Sequence, residues 1–385
     1  MMKYTNFTKT QLIEICKKNN IKSKDYKNKT KDELISIIKM NTIIGKKEVL
    51  ALNKSRKIRN YLDSIIGHSS NKYKIVNISP LRYAGGKSRA IGWLLENLPF
   101  IKNKKVISPF FGGGSFELVL LQLGYEVIGY DVFNMLVNFW RRLKYNSTGF
   151  VEELSKLKPN KTNFTRNRHI LLNYWEKIKP EDLHYETRKK IELTADESIL
   201  LDDSKLLQAV YYYYNTQLSY GPMFCGWNSS LYLHKHKFKK IINKLKDIGE
   251  NELLDNLTIR CESFENIIPK YNNEFLFLDP PYYLGDDSSV FKGIYPNSNF
   301  PIHHKNFNHR LLRNLLKNHK GGFLLTYNDC PKIRKWYKQY KQVFPAWQYT
   351  FSLGEIRIGK NRRAGNGTNM KVSSEIIIVS FPFNY

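Results

Sequence analysis

The ten residues FLFLDPPYYL, beginning at Phe275, constrain the fold more than any other stretch. Phe275, Leu276, Phe277 and Leu278 form an apolar, aromatic-rich run with no polar alternation, as expected of a strand covered on both faces and so central in its sheet. Pro280 and Pro281 lack amide hydrogens and have a fixed φ, so the ladder stops there and the chain leaves the sheet stiffly. Asp279 and Tyr282 are thereby presented beyond the carboxyl end of the strand, where open α/β sheets collect ligands. Asp and Pro also favour ordinary turns, and an aromatic after a strand can simply lid a core. Four residues alone do not choose between these readings.

The surrounding pattern sets the fold class. PLRYAGGKSRAIGWLLENLP, from Pro80, reads as a glycine turn and an amphipathic helix. KKVISPFFGGGSFELVLLQLG reads as strand, glycine loop and helix, and YEVIGYDVFNMLVNFWRRL as strand, acid and helix. Alternation of this kind predicts an α/β chain with a doubly wound, mainly parallel sheet. It stops near residue 150. Residues 150–250 read as a mainly helical, basic insertion that includes YYYYNTQLSYG, and strands resume at LTIRCESF and FLFLDPP. NFNHRLLRNLLKNHKGGFLLTYNDC then predicts helix, Gly-Gly turn and strand. The last segment predicts a hairpin from WQYTFSL, with a glycine-rich basic loop and a return strand at Ile376 to Val379.

The amino terminus reads as a separate unit. Thr8 with Gln11, and Thr30 with Glu33, are two capping-box signatures, each ahead of a short helix. The pair buries little and should be marginal alone. It resembles SAP-like helix, extended loop, helix modules, a family that binds DNA. The expected organisation is a module at 1–45, a linker at 46–75, a sheet domain at 76–149 and 251–385, and the insertion at 150–250.

Sixty-two Lys and Arg against 34 Asp and Glu leave a formal charge of +28, which points to a polyanion. The 25 Tyr and 22 Phe could stack on bases, so nucleic acid is the first candidate. No run approaches the roughly 18 apolar residues of a membrane span, and the polar start lacks a signal-peptide core, which predicts a cytoplasmic location. Four scattered cysteines suggest neither disulfides nor a zinc site. His234 and His236 sit among lysines, more in keeping with a solvated basic face than with a metal site.

Phe110, Phe111, Gly112, Gly113, Gly114 and Ser115 let backbone approach a ligand at a helix start, but Glu117 stands where the dinucleotide fingerprint needs its third glycine. Asp131 ends the next strand, placed to accept ribose hydroxyls. Together they suggest a nucleoside cofactor without a pyrophosphate, although glycine loops and strand-end aspartates also serve as plain turns. Gly85-Gly86-Lys87-Ser88 ends like a P-loop, yet Leu81 occupies the position of its first glycine, so ATP hydrolysis is not indicated.

Taken in order, RYAGGK, PFFGGGS, YD, a long insertion, CESF and DPPY resemble the Dam-type class of DNA adenine methyltransferases, over about residues 78 to 385. The resemblance implies a Rossmann-like methyltransferase sheet, with the insertion recognising the target in double-stranded DNA. It implies S-adenosylmethionine as cofactor and no metal. Gly112 to Gly114 and Phe110 would lie near the cofactor, Asp131 on its ribose, Ser263 and Phe264 against its adenine, and Tyr83 and Lys87 at its amino-acid end. Asp279 and the Pro280 carbonyl would accept the two hydrogens of the target amino group, Pro281 would stiffen the corner, and Tyr282 would stack on the flipped base. Lys235, Lys237, Lys239, Lys240, Arg362 and Arg363 would meet phosphates. Ser108 stands where the family commonly has an acid, and Asn215-Thr216-Gln217 lacks the arginine of the family's Asn-Arg-Thr. Cytosine-N4 methylation and a catalytically silent DNA-binding protein are the alternatives.

Overall fold

The computed structural model describes residues 7–18, 26–40, 56–67, 72–83, 85–178, 205–219, 227–228, 235–283, 307–345 and 375–381. By internal contacts the chain divides into two compact units, Met1–Ser64 and Ile65–Tyr385.

In the first unit both capping boxes form. Thr8 N–H donates to Gln11 Oε1 (3.0 Å) and Gln11 N–H to Thr8 Oγ1 (3.3 Å). Thr30 N–H donates to Glu33 Oε2 (2.7 Å) and Glu33 N–H to Thr30 Oγ1 (3.3 Å). Satisfying these orphan donors starts helices α1 (Lys9–Lys18) and α2 (Lys31–Met40). Phe7, Leu12, Ile15, Cys16, Tyr26, Leu34, Ile35 and Ile38 make one small core between them. Residues 56–64 are also helical.

The second unit is built on seven strands: β1 (Lys105–Ser108), β2 (Glu126–Asp131), β3 (Leu257–Cys261), β4 (Phe275–Leu278), β5 (Phe323–Asn328), β6 (Lys341–Val343) and β7 (Glu375–Ser380). Their order is β3-β2-β1-β4-β5-β7-β6. The first five are mutually parallel, and β7 runs antiparallel to both β5 and β6. The chain winds outward from β1 to β3, then returns to β4 on the other side of β1. The β1/β4 boundary is therefore the topological switch point, where a crevice opens beyond the strand ends. β4 is buried at all four residues, as its unbroken apolar run predicts.

Side-chain alternation assigns the two faces. Phe277 meets Phe116 of α4 (Ser115–Gln122) at 4.7 Å between ring centroids. Leu276 and Leu278 share a cluster with α10 (Phe264–Lys270), α11 (His309–Asn318) and α12 (Pro331–Trp336). Helices α3 (Ile91–Asn97) and α5 (Asn134–Tyr145) pack on the α4 side.

The segment between β2 and β3 carries α6 (Ser147–Lys156), α7 (Lys161–Ile178), α8 (Lys205–Leu218) and α9 (Lys235–Glu250). Its tyrosine run is core. Tyr213 stacks on Phe139 of α5 at 5.3 Å with an interplanar angle of 8°, and Gln217 donates to the Pro80 carbonyl (2.7 Å). Asn215, Thr216 and Gln217 are all buried, with Asn215 and Thr216 donating to carbonyls of α8 itself. The Gln217 bond ties α8 to the segment that precedes Tyr83. The hairpin arm expected at WQYTFSL lies outside the described residues, and β5 and β6 are the partners of the return strand.

Candidate active site

The site is assembled around the β1/β4 crevice. After β1 the chain turns through Gly112 (φ 49°) and Gly114 (φ 63°), left-handed conformations that explain glycine at both positions. Gly113 is glycine for a different reason: a Cβ there would sit 2.7 Å from Tyr83 Cβ. Tyr83 thus lies directly against the loop. The loop's carbonyls are held by the core, Ser79 Oγ donating to Gly113 O (2.5 Å) and Trp140 Nε1 to Gly112 O (3.1 Å). Asp131, half-buried at the end of β2, accepts from Gly112 N–H (2.9 Å) through Oδ2 and from Phe133 N–H (3.0 Å) through Oδ1. Burial pushes its carboxyl above the ordinary value, and these amides counter the rise. The acid expected to meet a ribose also braces the glycine loop.

Asp279 stands one residue beyond β4. Its Oδ1 pairs with Lys87 Nζ (2.7 Å) and accepts from Thr326 Oγ1 (2.6 Å), a hydroxyl carried in on neighbouring β5. Both of these closest contacts are to the same oxygen. The carboxylate is 22% exposed, whereas Lys87 is only 4% exposed. Lys87 also donates to Gly85 O (2.8 Å) and lies 5.1 Å from the Tyr282 ring centroid. The sequence reading set Lys87 at the cofactor's amino-acid end, and its Nζ is found on the aspartate. Tyr282 is buried, with Tyr327 behind it at 6.3 Å.

Phe110 and Phe264 lie 5.4 Å apart, and Phe307 closes a triangle at 5.7 and 5.1 Å. Ser263 caps α10, its hydroxyl accepting from Glu265 N–H (3.5 Å). His309, whose Nδ1 bonds the Tyr327 hydroxyl, is held well below ordinary imidazole, at about 4, by burial.

Behind the loop, buried Ser108 donates to buried Glu117 Oε1 (2.7 Å). The acid absent at position 108 is thus brought to that serine by α4. Burial, with a smaller push from Asp279, raises the Glu117 carboxyl to about 8 against the pull of Ser108, its own amide and Lys87.

Thr326, Phe307, His309 and Glu117 were not singled out from the sequence. A lone acid inside the apolar helix SFELVLL was a legible signal for Glu117. Thr326 offered none, since only strand pairing brings it to Asp279. Lys235, Lys237, Lys239 and Lys240 fall on the first turns of α9, with Lys239 and Lys240 exposed. Arg362 and Arg363 lie outside the described residues. Lys244, further along α9, is turned inward and donates to Asn77 O and Ser79 O (2.9 and 2.5 Å). Among the described residues no His, Cys, Asp and Glu cluster could hold a metal, and no helix is long and apolar enough to cross a membrane.

Fold and site together describe a doubly wound sheet with a glycine loop and a strand-end acid at its switch point, a class whose ligands bind in the crevice beyond the strand ends. Residues 83–351 match the family described as D12 class N6 adenine-specific DNA methyltransferase. With well over half of its length covered, the chain belongs to that family. It is a DNA adenine methyltransferase acting at N6, and the family takes its methyl group from S-adenosylmethionine. Adenine, rather than cytosine, is the base this family modifies. Comparison with curated proteins returned no match.

Proposed function

We propose that the chain is a Dam-type enzyme that methylates an adenine rotated out of double-stranded DNA within a specific sequence. Residues 1–45 are its SAP-like DNA tether, 46–75 the linker, 76–149 and 251–385 the catalytic domain, and 150–250 the target-recognition insertion. The observation that carries this reading is the anchoring of Asp279 just beyond β4, where Lys87 and Thr326 hold one of its carboxylate oxygens.

The residues present fit an S-adenosylmethionine site. A glycine loop with no room for a side chain, an acid bonded to it, three clustered phenylalanines and a buried carboxylate suit a cationic nucleoside. Gly112 to Gly114, Asp131, Phe110, Ser263, Phe264 and Tyr83 would hold it. When bound, it supplies a methyl group made electrophilic by a sulfonium.

The protein's own part is to present the amine. Asp279 Oδ2 and the Pro280 carbonyl accept the two N6 hydrogens, which draws the nitrogen lone pair out of conjugation with the ring and aims it. Lys87 and Thr326 prevent the carboxylate from rotating, and the two prolines keep the carbonyl in register. Tyr282 is the stacking face, and because its ring is buried, an incoming base has to displace its present cover. Lys235, Lys237, Lys239, Lys240, Arg362 and Arg363 neutralise phosphates without reading sequence.

The test incubates the protein with methyl-labelled cofactor and unmethylated duplex, with a single-stranded arm, and digests the product to nucleosides. Label should appear in N6-methyladenine, from duplex in preference to single strand, and should vanish with Asp279→Ala. Equal label in that variant, or label in methylcytosine, would overturn the reading.

A further inference from the structure

Beside the crevice there are two acids, Asp279 and Glu117, and one buried lysine, Lys87. Lys87 is matched by Asp279, to which it is bonded at 2.7 Å. Glu117 is a second acid beside this pair, only 2% exposed. Its carboxylate takes hydrogen bonds from the Ser108 hydroxyl and from its own amide, and among the described residues it has no ion-pair partner. An isolated buried carboxylate is costly, and it either keeps its proton or waits for a cation. Between Ser108 and Glu117 the chain passes through Gly112 to Gly114, part of the loop proposed to hold the methyl donor.

We propose that Glu117 is the carboxylate that receives the ammonium of the methyl donor's amino-acid end. The inference rests on the assignment of the glycine loop as the donor site. The arrangement makes capture proton-linked. Lys87, from the turn before α3, lowers the Glu117 titration, and Asp279, after β4, raises it. With its midpoint near 8, Glu117 is mostly neutral at pH 7 in the empty site. When the ammonium arrives, the acid's O–H bond breaks, the proton leaves to solvent and the carboxylate pairs with the cation. No bond in the donor changes.

Calorimetric titration of the full chain, in two buffers of different ionisation enthalpy, reads that proton directly. The ligands are S-adenosylhomocysteine, which keeps the ammonium but lacks the sulfonium, and 5′-methylthioadenosine, which lacks the whole amino-acid end. Wild type at pH 7 should release close to one proton per S-adenosylhomocysteine, fewer as the pH passes about 8, and none with 5′-methylthioadenosine. Glu117→Gln should abolish the release and weaken S-adenosylhomocysteine about 10- to 100-fold while leaving 5′-methylthioadenosine unchanged. Unchanged 5′-methylthioadenosine binding also shows that the variant is folded. If it is not folded, the wild-type comparison decides alone, because absence of proton release with S-adenosylhomocysteine overturns the proposal. So does an equal loss for both ligands. Failure of wild type to bind either nucleoside would instead overturn the donor-site assignment.

Discussion

At the scale of single residues, the proposed site takes freedom away from Asp279. An exposed aspartate would sample several rotamers, and its second acceptor would be aimed only part of the time. Thr326 and Lys87 hold one oxygen, so in the proposed reaction the carboxylate has little reorientation to make. Thr326→Val keeps the shape and removes the hydroxyl. We expect kcat to fall about 10-fold with donor affinity unchanged, measured by steady-state methylation and by calorimetry. Glu117 affects stability as well as binding. Its folded pKa, about 8, lies above the ordinary 4.5, so its contribution is fully present below pH 4.5 and is lost as pH rises through 8. The melting temperature of the ligand-free protein should decline over that window, and Glu117→Gln should flatten the decline.

Among elements, the glycine loop and the amino-terminal helices show opposite uses of local sequence. The helices are started by short-range chemistry: Thr30 and Glu33 satisfy each other's amides, and with Lys29 they hold the exposed Glu33 carboxyl at about 2. A depressed carboxyl stabilises above its ordinary value of 4.5 and loses that effect as pH falls through 2. Amide exchange in the first turn of α2 should therefore accelerate, relative to intrinsic rates, on acidification through this range, and Glu33→Ala should show the faster exchange at neutral pH. In the loop, tertiary contact dominates. Gly113→Ala puts a methyl into Tyr83 and must displace that ring or the loop, so it should weaken S-adenosylhomocysteine binding at least tenfold, read by calorimetry.

For the whole molecule, the net charge of +28 and the two-unit division describe a polyanion-binding enzyme with a separate small module. If residues 1–45 act as a tether, deleting them weakens binding to any duplex and makes the slope of log K against log salt shallower, with the methylated sequence unchanged. A changed target sequence would argue against that role. The elements around the crevice were legible in the chain because their signals are local. An unbroken apolar run ending in Asp-Pro-Pro marks a central strand and its stop, three glycines mark a tight turn, and a threonine three residues before Glu or Gln marks a helix start. What only the tertiary structure decided was which side chains meet: Thr326 with Asp279 across two strands, Glu117 with Ser108 across the glycine loop, and the tyrosines of α8 with α5. Those pairings depend on strand order and helix placement, long-range properties that no window of neighbouring residues contains, because packing joins positions the chain keeps far apart.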